Sequence, residues 1–441
     1  MLTTVATSPK SLESYRSIIG DERLEAIRAL AEPLRGARVL QINSTAFGGG
    51  VAELLGAIAP LMNDAGLNAE WQVIHGADEF FNVTKAMHNS LQGMRLDWTP
   101  EMREIWLRYN RINAERLDEA YDFVVVHDPQ PAALLSLRTQ IDGRRPSGKW
   151  IWRCHIDLTE ARPEVWNLLR PDIEGYDGAV FTMPQYVKPD LRQRVFIVPP
   201  AIDPLSPKNI AISEETTRGI LQRYGVDPVR PIICQVSRFD PWKDPLGVID
   251  VYQHLRQDIP GLQLVLVASM AADDPEGWTW YERTVRRAGE DYDIHILSNL
   301  NGVGNIEVNA FQRSAQVILQ KSIREGFGLV VAEGLWKGRP VVAGNVGGIP
   351  LQVLSGQNGY LVNTTAECVN RTLYLMQHPD LAARMGAAGR EHVREHFLTT
   401  RLLSDWLSIF NTLAGRMDFQ PVSERREDAP ASSSEVRGGA P

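Results

Sequence analysis

The chain has 441 residues, 44% hydrophobic and 23% charged, which is ordinary for a globular protein and long enough that two domains are expected. A formal net charge of −8 with no long basic run argues against nucleic acid as a partner. Three scattered cysteines (Cys154, Cys234, Cys368) exclude a disulfide framework, and no apolar stretch is long enough to span a bilayer, so a cytoplasmic protein without a membrane partner is expected.

Short β-branched runs recur between helical or glycine-rich segments. The first, "RVLQIN" (38–43), leads into Gly48-Gly49-Gly50 and an amphipathic helix. Glycines there allow close approach of a ligand to the backbone, and the helix start favours an anion or a sugar oxygen; a plain tight turn is the alternative. The dinucleotide fingerprint G-x-G-x-x-G is absent, because Leu54 and Leu55 follow, which disfavours a NAD-dependent oxidoreductase. Next come "AEWQVI" (69–74) and "FVVVH" (123–127), then "KWIWRC" (149–154), "AVFT" (179–182) and "VFIVP" (195–199). His127-Asp128 with Gln130, and His155 with Asp157, directly follow two of these runs and are expected in one cleft. Their spacing offers no converging metal ligands, so a polar sugar pocket is the expectation, against histidines that merely pack.

After the proline-rich "PPAIDPLSP" (199–207) a second set of runs begins: "IICQVS" (232–237), "LQLVLVA" (262–268), "DIHIL" (293–297), "QVILQ" (316–320), "PVVAG" (340–344) and "GYLVN" (359–363). Near-continuous apolar runs separated by helices indicate parallel strands buried on both faces. The expected architecture is α/β, two doubly wound parallel-sheet (Rossmann-like) domains facing a central cleft. The first domain is expected over residues 1–204, with a C-terminal helix at about 396–415 packing back on it, and the second over 205–395. Residues 420–441 lack apolar periodicity and read as a disordered tail. The two domains are expected to hinge at the ends of the proline-rich linker, with a second crossing by the helix near Leu402–Leu413.

Ligands of such sheets gather at the carboxyl ends of strands. "VSRFDPWKDP" (236–245) there carries Arg238 and Lys243, a fork and a point charge able to neutralise a diphosphate, unless they are two solvated surface charges. "REGFGLVVAE" (324–333) poses the question of why Glu325 and Glu333 flank a Gly-Phe-Gly turn. A helix starting near Gly328 leaves Glu325 in the loop and puts Glu333 about five residues in, ~7.5 Å along the axis. The free N–H groups around Gly326, Phe327, Gly328, Leu329 and Val330 can cradle phosphate. A hexose hydroxyl at Glu325 and a ribose hydroxyl pair at Glu333 would fit, against two exposed acids beside a tight turn. The acidic pair Asp291/Asp293 precedes "IHIL" and so falls at the amino end of its strand, which rejects it as a metal site.

Taken together, the E-x7-E element, the Arg238/Lys243 pair, His155 and the early glycine loop resemble the group 1 retaining glycosyltransferases of the GT-B fold. The likeness extends from about Val39 to Phe410. "NSTAFGGGVAELL", "HDPQPAA", "WRCHIDL", "VNAFQRSAQVILQKSIREGFGLVVAEGLWKG" and "GGIPLQV" narrow it to the trehalose glycosyltransferring synthases. The wider family's acidic residue after Gly-Gly-x-Pro is missing, since Leu351-Gln352 stand there. The resemblance implies transfer of glucose from a nucleoside-diphosphate glucose to glucose, giving trehalose reversibly. It implies diphosphate binding by Arg238 and Lys243, ribose binding by Glu333, glucosyl hydroxyls at Glu325 and the transferred sugar at His155. Donor contacts at Gly49 and Gly50 and acceptor contacts at Asp128, Gln130, His155 and Asp157 complete the expected site. No metal and no cofactor beyond the nucleotide sugar is expected; partners are small-molecule sugars, and a homodimer stays open. A trehalose phosphorylase, or a transferase with another sugar acceptor, is the alternative, while a non-catalytic sugar-binding protein would have little use for the Arg/Lys pair.

Overall fold

A computed structural model of the chain describes residues 2–47, 49–117, 121–269 and 275–419; Gly48 and the expected tail lie outside them. Among the described residues, seven strands form a first sheet: β1 (Thr3–Thr4), β2 (Arg38–Asn43), β3 (Asn68–Val73), β4 (Phe123–His127), β5 (Lys149–Arg153), β6 (Gly178–Phe181) and β7 (Val195–Ile197). Their spatial order is β1-β3-β2-β4-β5-β6-β7. A second sheet holds β8 (Ile232–Arg238), β9 (Gln263–Ser269), β10 (Ile294–Ser298), β11 (Val317–Gln320), β12 (Val341–Gly344) and β13 (Gly359–Val362), in the order β10-β9-β8-β11-β12-β13. All pairings are parallel except β1 against β3. The apolar runs of the sequence appear as strands, with bounds differing by a residue or two. The antiparallel edge strand β1 was not expected, because two threonines carry no readable period.

Strands such as β4, buried along its whole length, have helices on both faces, which is why they show no polar alternation. Strand order reverses between β2 and β4 in the first sheet and between β8 and β11 in the second. Loops leaving these strands diverge and open a crevice at each reversal. The two sheets with facing crevices make the GT-B fold.

The chain crosses between the sheets twice, side by side. Ile202 N–H donates to Phe397 O at 2.8 Å and Thr399 N–H to Ile202 O at 3.0 Å. Arg401, paired with Asp405 at 2.6 Å, donates to the carbonyls of Pro199 and Pro200 at 2.7 and 2.9 Å. The second crossing is therefore Phe397–Arg401, ahead of the expected Leu402–Leu413. The helix Thr399–Leu413 lies on the first sheet's layer, against helices Asp21–Ala31 and Gly50–Asp64. Its Phe410 stacks on Phe123 of β4 with ring centroids 4.4 Å apart. No described helix is long and apolar enough to cross a membrane.

Candidate active site

The expected site residues come from loops at both strand-order reversals. Arg238 is the last residue of β8 rather than part of the loop, and Lys243 ends a short 3-10 helix, Pro241–Lys243. One carboxylate organises both. Asp240, buried, caps that helix by accepting from Lys243 N–H at 3.1 Å, while its other oxygen lies 3.3 Å from the Arg238 guanidinium. Asp240 was missed from sequence, although Asp directly before Pro is a helix-start signal. Arg238 keeps about half its side chain exposed toward the cleft (48%).

Lys243 Nζ donates to Glu325 Oε2 at 2.6 Å, and Ser322 Oγ donates to the same oxygen at 3.2 Å. Across the cleft, His88 of helix Asp78–Leu91 is pushed down to about 3, by burial first and then by the charges of Arg238, Lys85 and Lys243. It stands there as a neutral imidazole.

The Gly-Phe-Gly turn now has a physical reason. A side chain at Gly326 would put its Cβ 2.6 Å from the His155 carbonyl oxygen, so this glycine lets the two domains touch. Gly328, at φ 82°, caps helix Leu329–Trp336 in the left-handed region. Phe327 turns its ring into the core against Phe397, centroids 5.5 Å apart, so only its backbone can serve a ligand. No described residue accepts from the N–H groups of Phe327, Gly328, Leu329 or Val330. Gln352, the second residue after Pro350 in the stretch that lacks the family's acid, is fully buried and donates to Phe327 O at 2.5 Å. A carboxylate there would have no proton to give, which accounts for the amide. Tyr186 of the first domain closes the turn from the other side, its hydroxyl reaching Gly326 O at 2.8 Å and Glu325 O at 3.2 Å.

Glu333 is not an exposed acid. It is buried, with Oε1 3.4 Å from Lys208 Nζ and Oε2 without a protein partner. Lys208, from the linker region, also donates to Glu53 at 2.6 Å. Burial opposes its charge, but Glu333 and Glu53 outweigh that and hold it protonated. Lys208 thus ties helix Gly50–Asp64 to helix Leu329–Trp336 and lines, with both acids, a cavity of about 170 Å³. Nothing in its sequence context, "SPKN", marked it.

On the first-domain side, Gly49 precedes and Gly50 opens its helix, and the Leu329 side chain packs against Gly50. Asp128, at φ 66°, accepts the His155 N–H at 2.8 Å, and burial pushes its carboxyl up to about 7. Asp157 accepts from Thr159 N–H and Oγ at 2.9 and 2.6 Å, which leaves its second oxygen for a ligand. Gln130 is anchored by its backbone carbonyl to Trp106 and Asn110, and its side-chain oxygen has no protein partner. His155 lies beside His127, Nε2 to Nδ1 at 3.0 Å.

No cluster of three or more potential metal ligands exists among the described residues. Asp291 and Asp293 are taken up by Arg256 and by Arg230 (2.7 Å), at the amino end of β10.

Two facing doubly wound domains, with cations and free amides on one wall and histidines and acids on the other, define a group 1-type glycosyltransferase. A family model described as trehalose synthase, N-terminal domain, matches residues 41–188, and one described as glycosyl transferases group 1 matches residues 219–392. Trehalose synthase from Rubrobacter xylanophilus is 52% identical over 419 residues, covering 94% of this chain and 100% of the relative. The enzyme of the same name from Thermococcus litoralis is 52% identical over 406 residues, covering 91% and 97%. A solved E. coli structure titled as trehalose-6-phosphate bound with UDP-2-fluoro glucose superposes with a TM-score of 0.68 at 14% identity, covering 87% of this chain and 100% of that one. The chain belongs to the trehalose synthase family of group 1 glycosyltransferases, and is an enzyme.

Proposed function

We propose that the enzyme transfers glucose from a nucleoside-diphosphate glucose to free glucose, forming trehalose reversibly, with retention at the anomeric carbon and without a metal ion. The observation that carries this reading is the anion site at the second domain's strand-order reversal. Lys243 reaches Glu325, whose side chain abuts Gly328 of a turn where four backbone N–H groups have no partner among the described residues. Arg238 ends the adjoining strand, and the His155 carbonyl faces Gly326. Fixed cations and amides of this kind stabilise a leaving diphosphate as its charge develops. Glu333 and its unpartnered oxygen would take the ribose, and Glu325 the glucosyl hydroxyls.

In the transfer, the bond from the anomeric carbon to the phosphate oxygen breaks, and the acceptor oxygen bonds to that carbon from the same face. The acceptor proton passes to the departing phosphate oxygen. The acceptor glucose would lie near Asp128, Gln130 and Asp157, with Gly49 and Gly50 toward the donor.

Incubating the enzyme with glucose and, separately, ADP-, UDP- and GDP-glucose tests this. NMR of the products should show α,α-trehalose and equimolar nucleoside diphosphate. Trehalose cleavage that requires inorganic phosphate and ignores nucleotides would overturn the reading in favour of a phosphorylase.

A further inference from the structure

His155 is the family-expected sugar contact, but what fixes its hydrogen-bonding sense lies behind it. A chain of buried polar groups runs back from its ring: His155 Nε2 to His127 Nδ1 at 3.0 Å, His127 Nε2 to Gln41 Oε1 at 2.8 Å, and Gln41 Nε2 to Met62 Sδ at 3.8 Å. Gln41 and Met62 are fully buried and His127 nearly so. The two imidazole planes differ by 14°, so the lone pair and N–H of neighbouring rings meet in plane.

The direction of the chain follows from its far end. A thioether sulfur accepts a hydrogen bond and never donates one. The Gln41 amide NH2 must therefore face Met62, which turns its carbonyl oxygen to His127. An amide oxygen also only accepts, so His127 carries its proton on Nε2. Burial, and then the nearby charge of Arg153, keep both histidines neutral, pushing His127 down to about 3 and His155 well below its ordinary value. A neutral imidazole has one N–H, so His127 Nδ1 is a lone pair and accepts from His155 Nε2–H. The remaining nitrogen, His155 Nδ1, is left as a lone pair with no partner among the described residues.

We infer that Met62, Gln41 and His127 are positioning residues that lock His155 in its Nε2–H tautomer. His155 then receives a hydrogen bond from a sugar hydroxyl and cannot give one. The tautomer stands on the hydrogen-bond geometry and on the burial that keeps both rings neutral; the role toward the sugar rests on the glucosyl-transfer reading above. In that role the sugar hydroxyl is a donor at His155, so its oxygen lone pairs stay free for N–H groups elsewhere in the cleft. A fluorine in place of that hydroxyl would lose the contact.

The test uses full-length, ligand-free enzyme labelled with 15N-histidine, together with the His127→Phe, His127→Asn and Gln41→Leu variants. Long-range 1H–15N spectra near neutral pH should show His155 protonated at Nε2 and unprotonated at Nδ1. His127→Phe should release His155 into a tautomer mixture and lower kcat roughly tenfold or more, the effect of losing one aligned hydrogen bond in a buried site. His127→Asn, whose amide oxygen can accept where Nδ1 did, should restore the tautomer and most of the rate. If His127→Phe does not fold, Gln41→Leu provides the same readout one step further back. A proton on His155 Nδ1 in the unmodified enzyme, or an unchanged tautomer in folded His127→Phe or Gln41→Leu, would overturn the inference. Because the tautomer is read without sugar, that failure is separate from any failure of the transfer reaction. A shifted tautomer with unchanged kcat would overturn the role toward the sugar.

Discussion

Lys243 is the sharpest place to perturb the proposed chemistry. Its ammonium sits 2.6 Å from Glu325 Oε2, and both side chains are largely shielded, 13% and 11% exposed. In a site of that kind, with an effective dielectric near 20, a unit charge about 4 Å away is worth about 4 kcal/mol. Deleting a preorganised charge stabiliser costs about 2.7–4 kcal/mol, or roughly 10²–10³-fold in kcat. Lys243→Met keeps most of the stem and removes the charge, so its loss should appear in kcat, with the donor KM changing less. The structure adds a second, opposite consequence. Without Lys243, the Glu325 carboxylate faces the incoming diphosphate unneutralised, so Glu325→Gln in the Lys243→Met background should recover part of the loss through reduced repulsion. Single turnover and steady-state release of nucleoside diphosphate, with thermal unfolding as a control, measure both effects. Lys243→Met turning over within about twofold of the parent would refute the charge-stabilising role, and strict additivity in the double variant would refute the electrostatic coupling.

Activity should survive exhaustive chelation, because Asp291 and Asp293 are held by arginines at the far end of the sheet; loss on chelation with recovery on adding magnesium or manganese would contradict this. Asp128 supplies a pH signature. Its folded pKa of about 7 lies above the ordinary 3.8, so its contribution to stability is full below about pH 4 and is lost as pH rises through about 7. Relative to Asp128→Asn, the parent should lose stability between about pH 4 and pH 7 in urea titrations; parallel profiles would refute the shift. Donor binding should compact the enzyme in solution scattering, and Tyr186→Phe, which removes the hydroxyl reaching Gly326 O, should expand the ligand-free form. Identical scattering in all three states would argue that the domains do not hinge.

Much of this architecture was legible because buried parallel strands are apolar on both faces and end in glycine- or charge-bearing loops. β2, β4, β8 and β11 could be found from those runs, and their carboxyl ends and the loops after them carried Gly49, His127, Arg238 and Glu325. What stayed hidden depends on long-range partners. Lys208 reaches two helices distant in sequence, and Tyr186 reaches across the cleft to a turn 140 positions on. Glu333 could be read as a ribose contact or as an exposed acid, and only the packing around helix Leu329–Trp336 reveals that it is enclosed. Leu351-Gln352 showed only a missing acid, and Gln352 becomes intelligible only once the carbonyl it donates to is in place. The second crossing was placed too late because Phe397–Arg401 carries no linker composition.

The last helix has a bearing on how the protein is made. Helix Thr399–Leu413 closes the layer over the sheet that is synthesised first, and Leu403, Leu407 and Phe410 are fully buried there. Domains usually fold in the order they leave the ribosome. Here the first-made half has an uncovered flank at Phe123 until nearly the whole chain has emerged, and its completion waits on the second. A nascent chain cut short before Thr399 leaves that apolar flank bare, as a surface that chaperones and proteases recognise. The domain of the proposed acceptor side therefore reaches its finished form only in molecules that already carry the donor side.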